Sequence, residues 1–194
     1  MKKLFLFLFL AAGLSGFAQV TVSVNWVQRM PPANSDTIFY NPDKKLTWPD
    51  FKGKPGSPSE AIAVTSSGLG YKASMHSRNG KTDLVIDVYC YFSKQNSWVR
   101  PGRQSDYALT HEQHHFDVTY IVTDLFIQRL RAAKFTTANY GDVVEKIYGE
   151  TCRELEKMQN DYDGQTKNGQ LRNIQAEWNN KIEKRLDLTS TASK

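Results

Sequence analysis

Asn79-Gly80 separates two runs that alternate in polarity, and this arrangement restricts the fold more than any other stretch of the chain. Asn and Gly both tolerate positive φ, as the two central residues of a tight hairpin turn must. Pairing outward from that turn sets Met75 opposite Leu84, Ala73 opposite Ile86, Tyr71 opposite Val88 and Leu69 opposite Cys90. Each pair is apolar or aromatic, and all fall on one face. A slip of one residue would send the whole set to the other face. The sequence therefore predicts a long hairpin with one buried side and a fixed register. His76 pairs with Asp83 on the opposite face and reads as a surface histidine, because nothing near it has metal-ligand spacing.

The rest of the first half also reads as β-structure. Val20, Val22, Val24 and Trp26 alternate with Thr21, Ser23 and Asn25, as in a half-buried strand ended by Pro31-Pro32. A short strand over Thr37 to Tyr40 precedes the turn Asn41-Pro42-Asp43. The second half changes period. A helix is predicted from about Ser105 to Ala133, and a long one opens at Gly141-Asp142 with Val144, Cys152, Leu155, Met158 and Tyr162 in its apolar stripe. A break is expected over Gly164 to Gly169. A last helix then spans about Leu171 to Leu188 with Ile174, Trp178, Ile182 and Leu186 inward. These stripes read as core. The fold class that follows is α+β, an N-terminal antiparallel β-sheet packed against a helical half.

Met1 to Ala18 has the layout of a secretory signal: Lys2 and Lys3, an apolar stretch from Leu4 to Ala12, and small residues at Gly16 and Ala18. That predicts a mature chain starting near Gln19, secreted or periplasmic, with no membrane span once the signal is removed. The formal charge of +5 includes Lys2 and Lys3, which leaves +3 on the mature chain, with basic residues scattered among acids. Nothing there resembles a nucleic-acid footprint. Cys90 and Cys152 are the only cysteines. Both a disulfide and two packed free thiols are open readings for an exported chain.

The chemistry concentrates in Leu109-Thr110-His111-Glu112-Gln113-His114-His115-Phe116-Asp117, which contains HExxH. Residues four apart share a helix face, so His111 and His115 can offer two imidazole nitrogens to one Zn²⁺. Glu112 beside them can act as the general base that takes a proton from an attacking water. The chain has four histidines, and three of them lie within these five residues. At ~100° per residue, Tyr107, Ala108, His111, His115, Val118, Val122, Leu125 and Phe126 share one side. His114, Asp117 and Asp124 diverge from it, so a third ligand has to come from elsewhere. Glu150, Glu154 and Glu156 on the long helix read as a solvated face.

The chain resembles the bacterial family of predicted secreted zinc-dependent proteases catalogued as domain of unknown function 922. The resemblance rests on Leu46-Thr47-Trp48 with Asp50-Phe51, Ala63 to Gly68, Ser97-Trp98-Val99 and His111 to Asp117. It continues with Tyr162-Asp163, Thr166, Gly169, Gln175 and Trp178-Asn179. It implies a zincin-like metallopeptidase domain over residues 19–194, with Zn²⁺ as cofactor and a peptide or protein substrate in the envelope or outside the cell. It also places the third ligand within Tyr162 to Gly169. The family often has Thr-x-His-Gly where this chain has Thr166-Lys167-Asn168-Gly169. Asn168 thus holds the matching position and Asp163 the stronger ligand chemistry. The expectation is Asp163 near the metal, with Asn168 a weak partner or a contact just outside the ligands. The alternative function is a non-catalytic envelope-binding module on the same fold, which the missing histidine at position 168 would favour.

Overall fold

The computed structural model describes residues 20–28, 36–56 and 61–192. The signal-like segment and Pro31-Pro32 lie outside these residues. The strands are β1 (Val20–Trp26), β2 (Thr37–Phe39), β3 (Ala63–Val64), β4 (Ser67–Arg78), β5 (Lys81–Ser93) and β6 (Trp98–Val99). The helices are α1 (Asp106–Ala132), α2 (Tyr140–Thr166) and α3 (Arg172–Ala192). The class is α+β, with strands in the N-terminal half and helices in the C-terminal half.

β4 and β5 form the predicted hairpin. Met75 pairs with Leu84, Ala73 with Ile86, Tyr71 with Val88, Leu69 with Cys90, and His76 with Asp83. Asn79 and Gly80 turn with φ of 52° and 73°, the left-handed pair that such a turn needs. β1 and β2 lie along the other edge of β5, β1 against residues 82–88 and β2 against residues 91–93.

The sheet corrects one expectation. β1 runs parallel to β5, so the sheet is mixed and not wholly antiparallel. Alternation along a strand reports which side is buried and carries no information about direction, so β1 had the same signature either way.

Leu84, Ile86 and Val88 on β5 have no exposure, and with Leu69 and Val24 they pack on Phe126, Ile127 and Leu130 of α1 and Val144 of α2. Burying each such side chain contributes roughly 1.5–3 kcal/mol. Cys90 and Phe92 continue the same face into a second cluster with Tyr40, Leu46, Phe51 and Phe116. On its other side α1 meets α2 and α3 through Val118, Ile121, Tyr162, Trp178 and Ile182. α1 is thus the middle layer, and every residue from His111 to Thr119 is buried. Ser105 caps its N-terminus by accepting from the Ala108 amide.

The break after α2 comes later than expected. Gly164 stays helical, and the chain turns only at Lys167, Asn168 and Gly169, with φ of 49°, 51° and 78°. The amide of Asn168 bonds back to the Asp163 carbonyl and that of Leu171 to the Thr166 carbonyl. Both close the end of the helix in the manner of a left-handed cap. Asp163 therefore projects from the last turns of a rigid helix. The cysteines are free, Cys90 buried at the sheet and Cys152 half-buried on α2, so the disulfide reading does not hold. Among the described residues no helix is long and apolar enough to cross a membrane.

Candidate metal centre

α1 and α2 bring three ligand-type atoms together. Nε2 of His111 and Nε2 of His115 are 3.3 Å apart. Oδ1 of Asp163 lies 3.1 Å from the first and 3.0 Å from the second. The helical spacing of four supplies the two imidazoles, and the α1–α2 contact supplies the carboxylate. Among the described residues, His111, His115 and Asp163 form a group that can hold a metal ion. Both histidines are buried, whereas the Asp163 side chain is 41% exposed and opens the group to a cleft.

That cleft encloses about 1090 Å³. One wall is the segment 61–67, including β3. The floor carries His111, Glu112 and His115, and the far wall is α2 with Glu156, Gln159 and Asp163. Thr65 fastens the first wall to the floor, its hydroxyl donating to the Glu112 carbonyl at 3.0 Å.

Glu112 is buried, and its Oε2 has no hydrogen-bond partner. A buried carboxylate oxygen without a partner is costly, and this one belongs to a residue that lines the cleft beside the three converging atoms. Glu112 is not one of those three.

Electrostatics couple the group. Burial works against a charged Asp163, but the two imidazoles beside it, which hydrogen-bond to it and carry positive charge when protonated on Nε2, hold its pKa well below the usual carboxylate range. Burial likewise disfavours imidazolium at His115, yet the hydrogen bond to Asp163 and the nearby Glu112 charge raise its pKa. The carboxylate stays ionised and the imidazole attracts a cation or a proton, as in a site suited to positive charge.

Asn168 lines the same cleft in the left-handed turn after α2. Its backbone, not its side chain, is tied to Asp163. His114 and Asp117 lie away from the site, as their helical angle requires. His114 Nδ1 is 3.0 Å from Asp117 Oδ2, and Asp117 also accepts from the Tyr40 hydroxyl and the Gln113 amide. Of the α2 acids, Glu154 pairs with Arg129, while Glu156 lines the cleft.

Two residues at the site have no role assigned from the sequence. Nδ1 of His115 is hydrogen-bonded to Oε1 of Gln159, and Nδ1 of His111 lies 2.8 Å from Oε1 of Gln175. Gln175 belongs to the segment that carries the resemblance. Gln159 could be found only from its place one helical turn before Asp163, and glutamine there is otherwise an ordinary surface residue.

Compared with known proteins, the chain matches no family model, no curated protein and no solved structure. The metal group therefore stands on its own geometry.

Proposed function

We propose that the protein is an exported zinc-dependent peptidase, with His111, His115 and Asp163 holding Zn²⁺ and Glu112 serving as general base. The observation that carries this reading is the triangle of ligand atoms, with edges of 3.0, 3.1 and 3.3 Å. Zinc bonds of ~2.0–2.1 Å at tetrahedral angles put neighbouring ligand atoms about 3.3–3.4 Å apart, so the group needs to open by only a few tenths of an ångström to take the ion. Two imidazoles and one carboxylate are a known catalytic donor set that leaves a fourth position open.

Zinc bound there supplies a Lewis acid that activates water and polarises the scissile carbonyl. The remaining work falls to the chain. Glu112, with one carboxylate oxygen unpartnered beside the cleft, takes the proton from the attacking water and passes it to the leaving amine. Burial of the floor keeps bulk water from competing for that oxygen.

A peptide fits the wall opposite α2. The Ile62 carbonyl accepts from Arg100 across the β3–β6 pair. Successive residues of a strand turn their amides to opposite edges, so Ala63 directs its N–H and C=O away from β6. Ala63 also lines the cleft. An extended substrate adds there as another strand. A carboxylate at Asp163 in place of a histidine at position 168 supports the catalytic reading over a non-catalytic module.

The direct test is metal content. The purified mature protein is expected to carry close to one zinc per chain, to lose it to a strong chelator and to lose peptidase activity with it. A protein that takes up no zinc contradicts the proposal.

A further inference from the structure

Each histidine of the metal group sits in a closed hydrogen-bond loop that returns to its own backbone. Gln159 Nε2 donates to the His115 carbonyl at 2.9 Å and to the Thr119 hydroxyl at 3.1 Å. A carbonyl only accepts, so the Gln159 atom facing it is the NH₂, and Oε1 is the atom facing the His115 ring. An amide oxygen also only accepts, so His115 Nδ1 must carry the proton. The loop at His111 has one more member. The Tyr162 hydroxyl donates to the His111 carbonyl and accepts from Gln175 Nε2 at 2.6 Å, and Gln175 Nε2 also donates to Asn179 Oδ1 at 2.7 Å. Gln175 Oε1 then faces His111 Nδ1, which is again the protonated nitrogen.

Anchoring both amides to backbone carbonyls, Gln159 directly and Gln175 through the Tyr162 hydroxyl, makes the tautomers a consequence of the fold. With Nδ1 protonated, each neutral imidazole turns a bare Nε2 lone pair toward the other and toward Asp163 Oδ1. Three acceptors then meet at 3.0–3.3 Å with no proton of their own between them. A metal cation satisfies such a group, as does a proton taken up on one Nε2 and shared with Asp163.

We propose that Gln159 and Gln175 are positioning residues that preset His111 and His115 as Nε2 ligands, with neutral amides in the place more often taken by a carboxylate. The inference rests on the proposed metal centre. It assigns Gln159 a role on the same face of α2 as Asp163, and Gln175 a role at the start of α3. Metal binding is thereby tied to the packing of all three helices. Because both partners are uncharged, Asp163 is the sole anion among the ligands and these two partners.

The test uses the full mature protein. Gln159→Leu and Gln175→Leu remove the acceptor, whereas Gln159→Glu and Gln175→Glu retain it. Zinc affinity by chelator competition should fall about 10–100-fold in the Leu variants, the cost of losing such a partner, and recover in Gln175→Glu, whereas Gln159→Glu keeps the acceptor but sets its second oxygen against the His115 carbonyl and should recover less. Melting of the metal-free proteins should not follow that order. Long-range ¹H–¹⁵N correlation on the zinc-loaded wild type should place the proton on Nδ1 and the metal on Nε2 of both histidines, a readout that needs no variant to fold. Metal on either Nδ1, or Leu variants that bind zinc as the wild type does, overturns the inference alone. A wild type that binds no zinc overturns the proposed function with it.

Discussion

Asp163 Oδ1 stands 3.0 Å from Nε2 of His115, although the two residues come from different helices. The end of α2 is thereby committed to the site that α1 begins. Asp163→Ala should weaken zinc binding by more than the ~10–100-fold cost of losing an outer hydrogen-bonding partner, while Asn168→Ala should change it little. Competition titrations on the two variants check both outcomes. Equal losses would place the third ligand elsewhere.

Gly169 holds φ at 78°, and a Cβ there would lie 3.3 Å from His111 Nδ1 and 3.7 Å from Gln175 Oε1. Gly169→Ala therefore strains the backbone by about 1–2 kcal/mol and presses on the hydrogen bond that orients His111. The variant should be less stable in urea and should also bind zinc more weakly. A loss of stability with unchanged zinc affinity would mean that the ring absorbs the contact.

Much of the fold was legible because it follows from period and turn chemistry. The Asn79-Gly80 hairpin emerges in the register its apolar pairs require, and α1 begins one residue after its Ser105 cap. The parallel direction of β1 was not legible, since a strand's alternation is the same in both directions. The continuation of α2 through Gly164 was hidden because glycine weakens a helix without ending it. The His111–His115 pair is set by local spacing and needs no tertiary knowledge. Gln159 and Gln175 depend on how α2 and α3 pack, which no local pattern reports.

Asp117 is fully buried and holds together Tyr40, Gln113 and His114 on the side of α1 away from the cleft. Asp117→Ala leaves these groups unpartnered and should cost roughly 3 kcal/mol in urea unfolding. Burial alone would raise the Asp117 pKa, but the His114 hydrogen bond, Lys45 and the Gln113 hydrogen bond lower it overall. A carboxyl held below its ordinary value of ~3.9 gives stability that is full above that pH and lost as the pH falls toward the folded pKa. The difference between wild type and variant should therefore narrow below about pH 4. A difference independent of pH in that range would mean the charge on Asp117 is not what stabilises.

Cys90 is buried in the sheet, where burial pushes its thiol pKa up, and Cys152 lies half-buried in the cleft wall. Alkylation of the folded protein should label Cys152 and spare Cys90 until denaturant is added. Mass spectrometry of the non-reduced protein should find both thiols free. A bridged pair would contradict the packing described.

The role of Glu112 bears most directly on the whole account. Peptide-cleavage rates and zinc content should be measured together for the wild type and Glu112→Gln. The account predicts that the variant keeps its zinc, since Glu112 is not among the three converging ligands, and loses about 10²–10⁴-fold in turnover. A zinc-loaded Glu112→Gln protein that cleaves as fast as the wild type would contradict it.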